Sequence, residues 1–170
     1  VAINALVIAQ SVPHITGLNA VKFLSYSAAR DHIQEDGLTY YINTTCPEVQ
    51  FSRDITKGVR EGWTVTYAAL QLAYYMGFSE VVIIGMDHRF VYNGDPNEKH
   101  IMSGPDPNHF CAHYFGYGQE WQNPDFKNAE ASYRTAREVF EAEGRTILDA
   151  TVDGACTIFK KASYKELFAQ

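Results

Sequence analysis

The sequence predicts a doubly wound α/β domain of the Rossmann-like type, built around a mostly parallel sheet. Short apolar runs rich in β-branched residues alternate with amphipathic helical runs, a pattern typical of βα units and not of sandwiches or helix bundles. The apolar run at residues 81–84 is continuous, as expected for a strand that helices cover on both sides. With 170 residues, of which 46% are hydrophobic, the chain has material for one sizeable core. We therefore expect residues 1–170 to form a single domain.

The clearest elements are a helix and the strand that follows it. Apolar side chains recur every three or four residues between positions 64 and 76, so they share one helix face. Gly62 and Thr64 can begin this helix, and Gly77 can end it in the left-handed conformation. The strand at residues 81–84 comes next. We expect it to lie inside the sheet, buried on both faces, with the helix packed against the sheet.

The remaining elements have weaker signals. Before the central unit we predict strands at residues 5–9, 21–24 and 39–42. After it we predict a helix at residues 129–143, a strand at residues 147–148 and a short helix near the C-terminus. The intervening residues 88–128 have little periodicity and are rich in Gly, Pro, Asn, His and aromatic residues. Because so long and so aromatic a loop is unusual, we expect it to be functional and not disordered.

Composition excludes several classes of protein. The net charge of −6 gives no basic stripe for extended nucleic acid, although a local basic pocket for a small anion stays open. The three cysteines are scattered, which indicates neither a disulfide framework nor a zinc knuckle and favours a reducing, cytoplasmic location. No transmembrane run or leader is visible. The sequence leaves a homo-oligomer open.

Two groups of candidate site residues flank the central helix and strand. Asp87 and His88 follow the strand directly, and ligands of open parallel sheets bind beyond the carboxyl ends of the strands. The alternative is that Asp87 caps the loop backbone and His88 is merely exposed. At the helix start, Gly62, Thr64 and Thr66 offer backbone N–H groups, hydroxyls and the positive end of the helix dipole, which suit a phosphate. An ordinary helix cap would have the same residues.

A third group lies in the aromatic loop. Asn108, His109 and His113 fall within one short polar and aromatic segment. A histidine titrates near neutrality, so it can act as a general base or bind an anion, although either could instead be a core histidine bonded to a carbonyl. The histidines and Cys111 have no recognised zinc-ligand spacing, and we therefore expect no metal site.

Residues 64–78 followed by residues 80–88 resemble the MptE-like domain family, named after archaeal 6-hydroxymethylpterin diphosphokinase and also found in bacterial glycan-related proteins. The same helix, strand and Gly-x-Asp unit resembles the bacterial CMP-sialic acid-dependent sialyltransferases. Their tyrosine-bearing loop matches residues 92–94, and their His-Tyr-x-Gly element matches residues 113–116. The resemblance implies that His113 is the general base for the acceptor hydroxyl and that Tyr92 contacts the departing phosphate.

The resemblance covers residues 62–151 and departs from the family before them. Family members begin with a strand and a Gly/Pro/Ser-containing turn that holds the nucleotide, and the first forty residues have no such turn. The chain also begins at Val1 without an initiator methionine. We therefore expect a fragment that lacks its first βα unit.

Together these features predict a nucleotide-dependent transferase of bacterial surface-glycan metabolism, most simply a sialyltransferase-like glycosyltransferase. It would use a nucleotide-sugar donor and a glycan acceptor, with no tightly bound cofactor. One alternative is diphosphoryl transfer from ATP to a pterin, with Mg²⁺ held by carboxylates such as Asp87. The other is a non-catalytic binding or assembly module. If the chain is a transferase, Asp87, His88 and His113 should converge on one cleft, with Tyr92 on its rim.

Overall fold

The protein is described by a computed structural model that covers residues 1–45, 49–109, 111 and 116–169. It is a mixed α/β structure with small, mostly parallel sheets. Within these residues, three of the four sheets are parallel throughout, and one two-stranded sheet is antiparallel. The expected α/β class with mostly parallel pairing is therefore confirmed, whereas a single continuous doubly wound sheet is not seen among the described residues.

The chain begins with a helix where a strand was predicted. α1 spans Ala5–Gly17, and the side chain of Asn4 caps it by accepting hydrogen bonds from the backbone N–H groups of Leu6 and Val7. The prediction of a strand at residues 5–9 is wrong, because a short apolar run has no periodicity that separates a strand from a buried helix. The Asn4 cap was the signal that decides between them. Ile8 and Ile15 bury one face of α1.

The next elements form two small parallel strand pairs, and a single residue, Asn43, separates the last strand of the first pair from the first strand of the second. β1 (Lys22–Ser25) leads into the single turn α2 (Tyr26–Ala29) and pairs with β2 (Thr39–Ile42), so the strands predicted there are confirmed. β3 (Thr44–Thr45) follows after Asn43 and pairs with β4 (Val59–Arg60), which comes after a 3-10 turn at Ile55–Lys57. The Asn43 carbonyl accepts a hydrogen bond from Val59 N at 2.8 Å.

The central helix and strand are present close to their predicted bounds. α3 spans Val65–Tyr75 between the caps Thr64 and Met76, and Gly77 follows with a φ of +84°. β5 spans Glu80–Ile83. It pairs with one strand only among the described residues and lies at the edge of its sheet, and Ile84 is 62% exposed. The expectation of an interior strand buried on both faces is wrong, because β4, which precedes α3, pairs with β3 and not with β5.

The long segment after β5 contains an antiparallel pair that the sequence did not predict. β6 (Lys99–Ile101) pairs with β7 (Glu120–Gln122). The side chain of Gln10 in α1 bonds both the N–H and the carbonyl of Glu120 at 2.9 Å, so this pair is tied to the first helix.

The last elements complete the larger sheet. α4 spans Phe126–Glu141 and begins three residues before its predicted start, because Asp125 caps it. β8 (Thr146–Asp149) pairs in parallel with β5 on one side and with β9 (Lys160–Lys161) on the other, and α5 (Tyr164–Leu167) follows. The main core lies between α3, α4 and this sheet, around the buried side chains of Tyr67, Tyr74 and Phe140. No helix among the described residues is long and apolar enough to cross a bilayer.

Candidate functional site

A cavity of about 300 Å³ lies at the carboxyl end of β5, against the N-termini of α3 and α4. We call it the strand-end cavity. Four of the residues predicted from the sequence line it: Thr64, Thr66, Asp87 and His88. The other lining side chains include Trp63, Phe90, Asp125 and Tyr133. The helix start and the strand end therefore meet at one cavity.

The start of α3 is shaped by two consecutive residues in the left-handed conformation. Gly62 has a φ of +57° and Trp63 a φ of +59°. Thr64 then caps the helix, since its Oγ1 accepts a hydrogen bond from Thr66 N at 3.3 Å. The same Oγ1 lies 3.2 Å from the hydroxyl of Tyr133, whose pKa is raised by burial, so that hydroxyl stays neutral. This turn directs the positive end of α3 into the cavity.

Gly62 serves packing instead of lining the cavity. A Cβ at this position would overlap the ring of Tyr67 and would lie 2.9 Å from Ser132 Oγ. Tyr67 and Ser132 are fully buried, so neither neighbour has room to move. A glycine is required here both by its positive φ and by its neighbours.

The loop after β5 presents Asp87 and His88 in different ways. Asp87 is exposed, and its carboxylate has no hydrogen-bond partner within the described ranges. Its carbonyl accepts from Ala155 N at 2.8 Å, which fixes the backbone. His88 has a φ of +53°, and its side chain is only 9% exposed. Its Nε2 lies 3.2 Å from Glu130 Oε1, and its ring packs edge-on against Phe126 with centroids 4.5 Å apart.

The electrostatics of the strand-end cavity come from carboxylates and helix ends. Asp125 caps α4, and its carboxylate accepts hydrogen bonds from Asn128 N at 3.1 Å and Asn128 Nδ2 at 2.7 Å. Among the described residues of the lining, Asp87 is the carboxylate that has no hydrogen-bond partner. No Lys or Arg lines the cavity in the part of the chain that the structure describes. Positive potential there comes from the N-terminal ends of α3 and α4.

Asn108 and His109 lie behind the cavity wall. Asn108 bonds both backbone groups of Val91: its Oδ1 accepts from Val91 N at 2.6 Å, and its Nδ2 donates to Val91 O at 3.1 Å. His109 Nδ1 lies 2.7 Å from Oδ2 of Asp106, a carboxylate that is only 1% exposed. The His109 ring also packs edge-on against Phe90, which lines the cavity. Both residues brace the loop after β5, and neither is a lining residue.

Two candidate residues, Tyr92 and His113, take their roles from the family resemblance. Tyr92 is partly buried, and its ring centroid lies 6.4 Å from that of Phe126, which lines the cavity. Tyr92 is thus adjacent to the cavity wall. His113 lies outside the described residues, and its predicted role as general base stays a prediction.

Sequence reasoning missed the partners that hold the predicted residues. Glu130 and Tyr133 lie on α4, more than 40 positions from His88 and Thr64 along the chain, and no local pattern connects them. Asp125 could have been found as a helix cap, since a carboxylate followed by a helical run is a recognised start signal.

The comparisons with known proteins add no assignment: no family model matches the chain, and no curated protein and no solved structure matches it. Within residues 1–45, 49–109, 111 and 116–169, no group of three or more His, Cys, Asp and Glu side chains is arranged to hold a metal ion.

Proposed function

We propose that this chain is a nucleotide-dependent transferase, most simply a glycosyltransferase that takes a nucleotide-activated sugar in the strand-end cavity. We further propose that its parallel sheets belong to one doubly wound, Rossmann-like domain that acts in the cytoplasm. The observation that carries the functional proposal is the convergence of Thr64, Thr66, Asp87 and His88 on one cavity at a strand end. Ligands of open α/β sheets bind at this position.

The chemistry of the cavity suits a phosphate linked to a sugar. The side chains of Thr64 and Asp125 already accept from Thr66 N and Asn128 N, and the other amides at the starts of α3 and α4, together with the helix dipoles, favour negative charge at this end. The Thr66 hydroxyl lies beside these amides and can donate to a phosphate oxygen. The Asp87 carboxylate, which has no partner among the described residues, can accept hydrogen bonds from ribose or sugar hydroxyls.

The remaining steps of the proposal rest on the family resemblance. Tyr92 would donate a hydrogen bond to the departing phosphate, stabilising the charge that develops as the glycosidic bond breaks. His113 would accept the proton of the acceptor hydroxyl as that oxygen attacks the sugar. His88, held by Glu130, would fix the shape of the cavity floor.

A second candidate is diphosphoryl transfer from ATP, favoured by the carboxylates of Asp87 and Asp125 in the lining. Magnesium in such enzymes is held by one or two carboxylates together with substrate phosphates, and the Asp87 carboxylate, which no other described residue engages, suits that purpose. The two candidates differ in their need for metal. Mg²⁺-dependent binding of ATP supports the diphosphokinase, and metal-independent binding of a nucleotide sugar supports the glycosyltransferase.

The test is a thermal melt with CMP, a CMP-sugar, a UDP-sugar and ATP, each with Mg²⁺ and with a chelator. A ligand at ~100 times its Kd stabilises the native state by about 2.7 kcal/mol. For a domain of this size, that corresponds to a rise in Tm of about 5–10 °C. If no nucleotide at millimolar concentration raises the Tm, the transferase proposal fails and a non-catalytic module is favoured.

A variant ties any binding to the strand-end cavity. Asp87→Asn should lower the affinity for the ligand that raises the Tm. We expect a loss of about 10-fold or more, because an amide replaces a charged group that accepts hydrogen bonds from hydroxyls. Asp31→Asn is the matched control, since Asp31 is also an exposed carboxylate and lies in the first half of the chain. Equal affinity in wild type and Asp87→Asn would move the ligand away from this cavity.

A further inference from the structure

A second cavity, of about 290 Å³, lies at the carboxyl ends of β3 and β4. We call it the Lys57–Arg60 pocket. Its lining contains both of those residues together with Thr45, Gln50, Phe51, Ser52 and Gly58. Arg60 lines this pocket, whereas Trp63, three residues later, lines the strand-end cavity. The two cavities therefore flank the same turn.

The charge of this pocket is opposite to that of the protein. The whole chain has a net charge of −6, yet no carboxylate lines the pocket within the described residues. Among the described residues, the guanidinium of Arg60 bonds only neutral side chains: Nη1 donates to Thr45 Oγ1 at 2.9 Å, and Nη2 donates to Gln50 Oε1 at 3.2 Å. These bonds orient the guanidinium without neutralising it. A positive potential inside a polar pocket attracts a small anion.

The other cation, the ammonium group of Lys57, forms only a weak ion pair within the protein. Lys57 Nζ lies 3.3 Å from Asp54 Oδ2, but the Lys57 side chain is 81% exposed. Ion pairs of that exposure contribute little to stability. A multiply charged anion in the pocket can therefore draw the ammonium group away from Asp54 at small cost.

The walls of the pocket are built from inside the protein. Gln71 of α3 is fully buried, and its Oε1 accepts hydrogen bonds from both Ser52 N and Arg60 N at 3.0 Å. Its Nε2 donates to Arg60 O at 2.8 Å. The buried Tyr67 donates its hydroxyl proton to Gln50 O at 2.9 Å. Two side chains of one helix thus hold three lining residues in place before any ligand arrives, which lowers the ordering cost of binding.

We propose that the Lys57–Arg60 pocket binds the phosphoryl group of a small phosphorylated ligand. A guanidinium, an ammonium and the hydroxyl of Thr45, which accepts from Arg60 and keeps its own proton to donate, are groups from which phosphate oxygens accept hydrogen bonds. Two cations in one lining favour a dianion over a carboxylate. The volume accommodates a phosphate together with part of the molecule that bears it. This inference does not depend on the transferase assignment, because no residue of the strand-end cavity takes part in it.

The experiment is isothermal titration calorimetry with inorganic pyrophosphate at low ionic strength, on the full chain. Lys57→Gln should weaken binding by about 3- to 10-fold, and Arg60→Gln by about 10- to 100-fold, because each removes one charged donor. Lys165→Gln and Arg30→Gln are the matched controls, since both remove a cation elsewhere on the surface. Their affinities for pyrophosphate should equal that of the wild type.

Three further arms separate the outcomes. Lys57→Gln removes only an exposed side chain, so its Tm should stay at the wild-type value even if Arg60→Gln is less stable.

Competition by CMP identifies a nucleotide as the source of the phosphate, and competition by glucose 6-phosphate alone identifies a sugar phosphate; both support the pocket. The proposal is overturned if pyrophosphate does not bind, if Lys57→Gln binds it as tightly as the controls do, or if acetate binds as tightly as pyrophosphate.

Discussion

Replacing Gly62 by alanine tests the link between the start of α3 and the core. The added Cβ would overlap the ring of Tyr67 and lie 2.9 Å from Ser132 Oγ, and both neighbours are fully buried. Overpacking of this kind costs about 1–3 kcal/mol. The φ of +57° adds about 1–2 kcal/mol for any residue with a Cβ. We therefore expect Gly62→Ala to lower the free energy of unfolding by about 2–5 kcal/mol.

Gly144 provides the matched control for this prediction. Its φ is +69°, and a Cβ there would meet nothing within 4 Å. Gly144→Ala should therefore lower the free energy of unfolding by only about 1–2 kcal/mol, the backbone contribution alone. Urea denaturation measures both variants, and the difference between them isolates the steric overlap. If Gly62→Ala is no less stable than Gly144→Ala, the packing of Gly62 described above is wrong.

Two further predictions concern ionisable groups. The hydrogen bond from Lys22 holds the pKa of the Asp36 carboxyl well below its usual range. The ionised carboxylate therefore stabilises the folded protein fully above its unfolded pKa of about 3.9, and this stabilisation is lost as the pH falls through the folded pKa. Asp36→Asn should lower the Tm at pH 7, and its gap from wild type should shrink below pH ~4; a constant gap down to pH 2 would contradict this. Burial raises the pKa of the Cys156 thiol, whereas Cys111 is exposed, so iodoacetamide should label Cys111 in the native protein and Cys156 only in urea, as measured by mass spectrometry.

The elements predicted correctly from the sequence are those whose own residues determine them. α3 has a periodic apolar face, a threonine cap and a glycine just beyond its end, and all of these act within one segment. The strand at Glu80–Ile83 follows from an apolar run bounded by glycine. The position of that strand at a sheet edge could not be predicted in the same way, since it depends on which strand β4 pairs with.

The elements that were missed are held by distant partners. β6 and β7 are short and mostly polar, and their register is tied to Gln10, 110 positions before Glu120. β9 consists of two exposed lysines, and Lys161 is held by the buried carboxylate of Asp149 at 2.6 Å. Neither case leaves a local pattern of apolar residues, which is the signal that sequence reasoning uses.

The four candidate residues that line the strand-end cavity lie there for a local reason. Binding at strand ends and helix starts depends on local geometry, and Asp87 and Thr66 lie at such ends whichever strands pair beside them. α3 contributes to both cavities. In its first turn, Thr66 lines the strand-end cavity and the next residue, Tyr67, holds Gln50 of the Lys57–Arg60 pocket; about one turn later, Gln71 holds Ser52 and Arg60 of that pocket. One helix therefore positions residues of both sites: the strand-end cavity, whose described lining has no Lys or Arg, and the Lys57–Arg60 pocket, whose lining has one of each. Displacement of α3 would disturb the two sites together.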